Sequence, residues 1–194
     1  ITYVHDGSES LVDVFTLSVS DGLNKITKEV YVDVNLINDQ DPEPLRNLHS
    51  SIQVMEGGSV LLTSANVAAT DNDTDDHLLN FIVIQSPHYG EITVNGKAAS
   101  QFSQAQIWNR AVKYVHTSGE IGADVVKDFV TFAITDQTFG SMAEHPIIKL
   151  NFTIVPVDNQ PPYVILGSPL FVTEGRRAPI TQESLSAQDV DTAS

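Results

Sequence analysis

Apolar and polar residues alternate one for one over several stretches of the chain. Phe15, Leu17 and Val19 take one side of such an alternation, with Thr16, Ser18 and Ser20 on the other. Val30, Val32, Val34 and Leu36 alternate with Tyr31, Asp33 and Asn35, and Ile148, Leu150, Phe152 and Ile154 with Lys149, Asn151 and Thr153. Because successive side chains of a strand point to opposite faces, a period of two predicts strands with one face buried. The pairs Asp6-Gly7, Asp21-Gly22, Asn95-Gly96 and Ser118-Gly119 are turn signals between them. Roughly seven strands per hundred-odd residues, separated by such turns, predict an all-β fold of the sandwich type. One helical turn interrupts the pattern: Ser103 and Gln106 have the spacing of a capping box, and Phe102 and Ile107 that of a hydrophobic staple.

The strand pattern recurs. Tyr3-Val4-His5 returns as Tyr114-Val115-His116, and Asp13-x-Phe15-x-Leu17-x-Val19-x-Asp21 as Asp128-x-Val130-x-Phe132-x-Ile134-x-Asp136. Ile37-Asn38-Asp39-Gln40 returns as Val157-Asp158-Asn159-Gln160, Val54-Met55-Glu56-Gly57 as Val172-Thr173-Glu174-Gly175, and Ala69-x-Asp71-x-Asp73-Thr74 as Ala187-x-Asp189-x-Asp191-Thr192. Five matches in one order, at offsets between 111 and 120 residues, define a repeat whose small drift fits insertions in loops. The chain therefore divides into the second part of one repeat (1–40), a complete repeat (41–160) and the first part of a third (161–194). Pro42, Pro44, Pro161 and Pro162 follow the last strand of each repeat, where they stiffen a short connection. The expected object is a rod of sandwiches stacked end to end.

Composition narrows the function. With 10 Lys+Arg against 25 Asp+Glu the net charge is −15, which repels phosphate backbones and anionic lipid headgroups and excludes nucleic acid and membrane surfaces as partners. At 41% hydrophobic and 18% charged residues the chain has the material for packed cores, unlike an acidic disordered tail. There is no cysteine, so disulfides, thiolate metal sites and Cys nucleophiles are excluded. No apolar run reaches the roughly 18 residues of a membrane span. Ile1 opens directly on a strand with no initiator methionine or signal peptide, and the sequence reads as a stretch excised from a longer chain; if that chain is secreted, its signal lies upstream.

The acids are clustered. Asp71, Asp73, Asp75 and Asp76 lie within six positions, and Asn38, Asp39 and Asp41 sit beside the prolines. Carboxylates gathered at one pole of a domain repel one another unless a cation neutralises them, and calcium takes six to eight oxygen ligands of this kind. The alternative is a solvated acidic loop. The Asp-x-Asp pair, the Glu-Gly pair and the Asn/Asp-Gln before proline all recur at corresponding places, and stacking brings the last strand of one repeat near the Asp-x-Asp loop of the next. Calcium (Ca2+) is the expected cofactor.

The run Tyr3-Val4-His5-Asp6-Gly7-Ser8-Glu9, the strand from Asp13 to Asp21-Gly22 and the closing Ile37-Asn38-Asp39-Gln40 resemble the chondroitin sulfate proteoglycan (CSPG) repeat. That repeat occurs in the melanoma-associated proteoglycan and in the Fras/Frem extracellular matrix proteins. Pro87-His88-Tyr89-Gly90 and Phe102-x-Gln104-Ala105-x-Ile107 are similar to the same family, and the Asn-Asp-Gln-x-Pro ending favours its Fras/Frem branch. The resemblance covers nearly the whole chain. It implies cadherin-like repeats in tandem, a secreted protein of the extracellular matrix, and adhesion of epithelium to the basement membrane. The implied partners are other matrix or cell-surface proteins, sister family members in a complex among them.

The resemblance also implies a ligand set. Glu56 and Glu174 match the glutamate near the start of a cadherin repeat, Asp71 with Asp73 and Asp189 with Asp191 its Asp-x-Asp, and Asp21 and Asp136 its later aspartate. Asn38-Asp39-Gln40 is similar to its linker, and Asp6 and Glu9 stand near its Asp-Arg-Glu. On this reading the first junction draws on Asp6, Glu9, Asn38, Asp39 and Asp41 from one side and Asp71, Asp73 and Asp136 from the other. The second draws on Glu56, Glu120, Asp158, Asn159, Asp189 and Asp191. Leu36 replaces the leading linker aspartate, Thr117 stands opposite Asp6, and Asp158-Asn159 inverts Asn38-Asp39, which argues against a full cadherin-like set of ions at either junction; Thr117 opposite Asp6 and Asn159 opposite Asp39 predict weaker binding at the second.

Other chemistry is thin. His5 and His116 recur among Asp and Ser residues, but a repeated histidine is more economically one that hydrogen-bonds its own turn than part of a Ser-His-Asp triad. Asp71 and Asp73 stand two apart on one loop, whereas a glycosidase pair flanks a cleft. Trp108 is expected in the core. Asn72 and Asn151 head Asn-x-Thr sequons and are candidate glycosylation sites, and Ser118-Gly119-Glu120 reads as a tight turn rather than a glycosaminoglycan attachment site. The function that follows is a non-enzymatic, calcium-stiffened adhesion or matrix module. The alternatives are a membrane-anchored proteoglycan ectodomain, a bacterial cadherin-like adhesin and, more distantly, a hydrolase using the acidic loop.

Overall fold

A computed structural model describes residues 1–136 and 145–192. The chain opens with the hairpin β1 (Val12–Ser20) and β2 (Lys25–Asp33), followed by β3 (Glu43–Pro44), β4 (Ser51–Met55), β5 (Ser59–Leu61) and β6 (Ala69–Thr70). Then come β7 (Asn80–Gln85), β8 (Gly90–Val94), β9 (Lys97–Ala98), β10 (Gln101–Ser103), the single helical turn α1 (Gln104–Trp108) and β11 (Val112–His116). The long strands β12 (Val126–Thr135) and β13 (Ile147–Val155) precede a last hairpin of β14 (Tyr163–Leu166) and β15 (Leu185–Gln188).

Two sheets make the central sandwich: five strands in the order β10-β7-β12-β13-β4 and four in the order β5-β11-β8-β9. All pairs are antiparallel except β13 with β4, which run parallel with Asn151 to Val155 opposite Ser51 to Met55. The period-two reading of β13 is met residue by residue: Ile148, Leu150, Phe152 and Ile154 are buried, and Lys149 and Asn151 face outward. Between the sheets the Tyr114 ring lies 3.8 Å from that of Phe152, and Phe102 stacks on Phe81 and meets Phe132 edge-on. This is the aromatic packing that dominates a sandwich core.

The helical turn forms as its sequence predicts. Ser103 Oγ accepts from Gln106 N while Gln106 Oε1 accepts from Ser103 N, and Phe102 and Ile107 are both buried as the staple. Trp108 departs from expectation: it is 51% exposed and rims an open hollow. The space between the sheets at that end is filled by Phe81, Phe102, Phe132 and Ile107, so a helix of five residues leaves the wide indole outside.

In the β1–β2 hairpin the strands are as expected, but the predicted inner face is only partly covered. Val30 and Val32 are half-buried and Phe15 stacks on Tyr3, whereas Leu17 and Val19 are exposed. Among the described residues no second sheet lies over this hairpin.

Matching sequence positions also make matching hydrogen bonds. Tyr114 Oη donates to Asp128 Oδ2 at 2.8 Å, and Asp128 Oδ1 accepts from Phe129 N. At the matching positions Tyr3 Oη donates to Asp13 Oδ2 at 2.9 Å, and Asp13 Oδ1 accepts from Val14 N. In the central repeat the carboxylate takes two more backbone donors, His88 N and Tyr89 N, and burial with the Asp128 bond pushes the Tyr114 phenol well above its usual value. Gly90 follows because a Cβ there would collide with the Tyr114 ring and the Val115 carbonyl.

Candidate functional site

The Asp-x-Asp loop follows β6, and a buried amide sets its position. Gln104, at the start of α1, donates from Nε2 to Ala69 O and accepts at Oε1 from Ala69 N, closing a two-bond clasp on the residue two before Asp71. From there the loop turns on itself: Asp71 Oδ1 accepts from Asp73 N and Thr74 N, and Asp71 N donates to Asp76 Oδ1. Asp73 then reaches across to the segment that leaves β2. Its Oδ2 accepts from Asp39 N and Gln40 N, both at 2.9 Å.

This brings two overlapping trios of carboxylates together, Asp71 with Asp73 and Asp136, and Glu9 with Asp39 and Asp73, their ligand atoms within 4.8 Å of one another. Gln40 links the sides, donating to Glu9 Oε1 and accepting from Asn72 Nδ2. Asn38, Asp71, Asp73 and Asp136 line the hollow of about 830 Å³ rimmed by Trp108. Asp71 Oδ2 and Asp73 Oδ1 are closed off from water and have no hydrogen-bond partner. Among the described residues the ion pairs are His5 with Asp6 and His77 with Asp75, so neither Asp71 nor Asp73 has a basic side chain against it. Burial pushes the Asp71 carboxyl up. Burial acts on Asp73 too, but the N–H groups of Asp39 and Gln40 and the Asp71 side chain outweigh it and hold that carboxyl below its usual value. Carboxylate oxygens buried without donors are costly, and an oxygen-seeking hard cation relieves them.

The second junction repeats part of this geometry. Asp191 Oδ2 accepts from Asn159 N and Gln160 N, both at 2.7 Å, just as Asp73 holds Asp39 and Gln40. Asp191 N donates to Asp189 Oδ1, and Asp191 Oδ1 is buried without a partner. The interaction between the two side chains raises the Asp189 carboxyl and lowers that of Asp191. Glu56 is fixed by Ile121 N on one oxygen and Val157 N on the other, and it lines a smaller hollow with Glu120 and Asn159. Asp158 accepts from Thr192 Oγ1.

Some expected ligands stand apart. Asp6 caps its own loop by accepting from Ser8 N, the Ser8 side chain and then this N–H hold its carboxyl low, and it joins neither trio. Asp41 is exposed and outside both trios, and Asp21 closes its own hairpin turn. Glu174 is exposed in a turn equivalent to that of Glu56: Gly57 and Gly175 both have positive φ, and Gly58 N and Arg176 N close the two turns onto Met55 O and Thr173 O. His116 is buried, accepting from Gly57 N at Nδ1 and sharing a hydrogen bond with Ser118 Oγ at Nε2, the structural role expected of it. The sequon Asn72 faces the first hollow, whereas Asn151 is exposed on β13 with its amide donating to Ser50 O.

A two-sheet sandwich whose Asp-x-Asp loop grips the backbone entering from the preceding strand pair defines a cadherin-like domain. The chain belongs to the Cadherin-like family, whose model matches residues 44–154. It is 36% identical over 209 residues to FRAS1-related extracellular matrix protein 1 of Homo sapiens, covering 100% of this chain and 10% of that protein. It is 34% identical over 198 residues to Extracellular matrix protein 3 of Lytechinus variegatus, covering 99% of this chain and 6% of that one. Chondroitin sulfate proteoglycan 4 of Homo sapiens is more distant, at 27% over 199 residues, with 100% and 8% covered. The resemblance to the Fras/Frem branch of the CSPG-repeat family is thereby confirmed, and the chain spans a tenth or less of these relatives. Among solved structures, a protocadherin gammaB7 EC3-6 cis-dimer covers 95% of this chain and 45% of its own, with a TM-score of 0.52 and 17% identity, which supports the fold.

Proposed function

We propose that the chain is a non-enzymatic module of the extracellular matrix, made of tandem cadherin-like repeats (1–40, 41–160 and 161–194) whose junctions are stiffened by Ca2+. Its setting is extracellular, as for the matrix proteins it resembles. The stiffened array serves adhesion of epithelium to the basement membrane, with other matrix or cell-surface proteins and sister family members as partners. The reading rests on Asp71 Oδ2 and Asp73 Oδ1, buried carboxylate oxygens without a donor, within a cluster that draws on both sides of a junction. Glu9, Asn38, Asp39, Asp71, Asp73 and Asp136 would hold the first ion, and Glu56, Glu120, Asp158, Asn159, Asp189 and Asp191 the second. An ion bound there neutralises charges contributed by consecutive repeats and so resists their bending apart.

Calcium bound only by the folded protein contributes about 2.7 kcal/mol at a hundredfold excess over Kd. The melting temperature is therefore expected to rise between chelator and millimolar calcium. Superimposable melts, with calorimetry also silent, would end the calcium reading.

The two junctions are expected to differ. Among the described residues trios of close carboxylates occur at the first junction alone. Site rigidity tunes calcium affinity, and ligands already gathered need less rearrangement, so the first junction binds more tightly. Calorimetric titration of Asp73→Asn should lose the tighter heat and that of Asp191→Asn the weaker one. The reverse assignment would overturn this ranking.

A further inference from the structure

The outer face of the four-stranded sheet carries a second hollow, of about 510 Å³, unrelated to the acidic clusters in composition. Its polar groups come from three strands and a turn. Thr93 on β8 and Lys113 on β11 are directly opposed, so their side chains share a face, as do Glu91 and Val115 two positions along. The Asn95-Gly96 turn and Arg110 close one end. Arg110 has φ of 57°, a left-handed conformation that few non-glycine residues adopt.

Three observations mark this hollow as built for a ligand. Thr93 is 4% exposed, and its hydroxyl is buried with no hydrogen-bond partner, on the side of the sheet that would ordinarily be solvated. Buried hydroxyls are normally bonded, so this one calls for a group the chain does not provide. Arg110 and Lys113 both line this hollow, without an ion-pair partner among the described residues, whereas the other hollows described carry no Lys or Arg in their lining. Glu91 lines the same hollow without pairing to either. A bare inorganic anion would satisfy the two cations and be repelled by Glu91. A ligand that places an anionic group at one end and hydroxyls at the other satisfies all four.

We propose that this face binds an acidic saccharide unit, with Arg110 and Lys113 taking its carboxylate or sulfate and Glu91 and Thr93 taking its hydroxyls. The Lys113 stem, the cross-strand neighbour of Thr93, is the flexible element that moves aside to admit a sugar oxygen to the buried hydroxyl. A guanidinium next to an ammonium suits an oxyanion, since the first donates in a fixed fork and the second adjusts. The site does not depend on the calcium reading, because it uses none of the junction carboxylates.

The test follows backbone amide shifts of the whole 194-residue chain by NMR, with calcium present, during titration with a sulfated, uronate-containing disaccharide. Inorganic sulfate and a neutral disaccharide are titrated in parallel. Saturable shifts confined to Ser59, Glu91 to Gly96 and Arg110 to Val115 are expected with the acidic disaccharide, and weaker ones with sulfate. Arg110→Ala and Lys113→Ala should each weaken binding roughly tenfold, the loss of one charge-assisted hydrogen bond. Both residues are outside the core, so the melting temperature should hold. Glu91→Gln separates a saccharide site from a simple anion site: it should weaken the disaccharide and strengthen sulfate. No saturable shift at millimolar ligand, equal binding of the neutral disaccharide, or a Glu91→Gln variant that strengthens both anions would each overturn the proposal.

Discussion

Asp128→Ala should destabilise the central repeat by about 3–5 kcal/mol, although it deletes a charged residue from a strongly acidic chain. Asp128 is 4% exposed, and its two oxygens accept from His88 N, Tyr89 N, Phe129 N and the Tyr114 hydroxyl. Alanine leaves three backbone donors and a buried phenol without an acceptor, and each unsatisfied group costs about 1–3 kcal/mol before relaxation. Relief of repulsion elsewhere is small beside the loss of these four bonds. Tyr114→Phe removes one of the four bonds along with its donor and should cost only about 1 kcal/mol. Urea denaturation of the three proteins checks the order. Asp128→Ala within about 1 kcal/mol of wild type would show that water replaces the carboxylate and that the lock is not structural.

Phe132→Ala should cost a similar amount, about 3–5 kcal/mol, for a different reason. The ring is fully buried against Phe102 between the two sheets, and its loss leaves a cavity that neighbouring strands close only in part. Asp73→Ala should behave otherwise. Asp73 is at a pole of the domain, so the core stays packed while calcium binding weakens and the segment at Asp39 and Gln40 loses its tether. Denaturation paired with calcium calorimetry separates the two: stability falls in Phe132→Ala with the ion heat kept in the folded fraction, and the ion heat falls in Asp73→Ala. Equal loss of folded protein in both would mean that the acidic loop is a folding element.

What the sequence disclosed, and what it did not, divides along physical lines. Strand alternation, capping box and repeat offsets depend on local spacing, and β13 and α1 follow them residue by residue. The approach of the Asp-x-Asp loop to the linker before it was legible because both recur, and Asp73 and Asp191 each hold two linker amides. The clasp of Gln104 on Ala69 was not legible, since it joins residues 35 apart through a side chain that any surface loop could carry. Tyr3 and Asp13, and Tyr114 and Asp128, were seen to recur, but their partnership is a tertiary contact that spacing alone does not express. Pro87-His88-Tyr89-Gly90 supported the resemblance before it had a role; two of its amides bind Asp128 and its glycine makes room for Tyr114. Trp108 was misplaced because a large aromatic side chain is ordinarily core material, whereas a helix of five residues buries Gln104 and Ile107 and leaves the indole outside.

The parallel pairing of β4 with β13 bears on how the central repeat would respond to pulling. The chain enters the five-stranded sheet through β4 and leaves it through β13, and the two strands point the same way over five paired residues, Ser51 to Met55 against Asn151 to Val155. Tension applied at the two ends of the repeat therefore tries to slide one strand along the other. The backbone bonds of the pair are loaded together and must yield together. Had the two strands been antiparallel, with both pulled ends at the same edge, the same bonds would open one after another like a zipper at much lower force. The topology thus makes this repeat a shear clamp, suited to bearing load along its own axis.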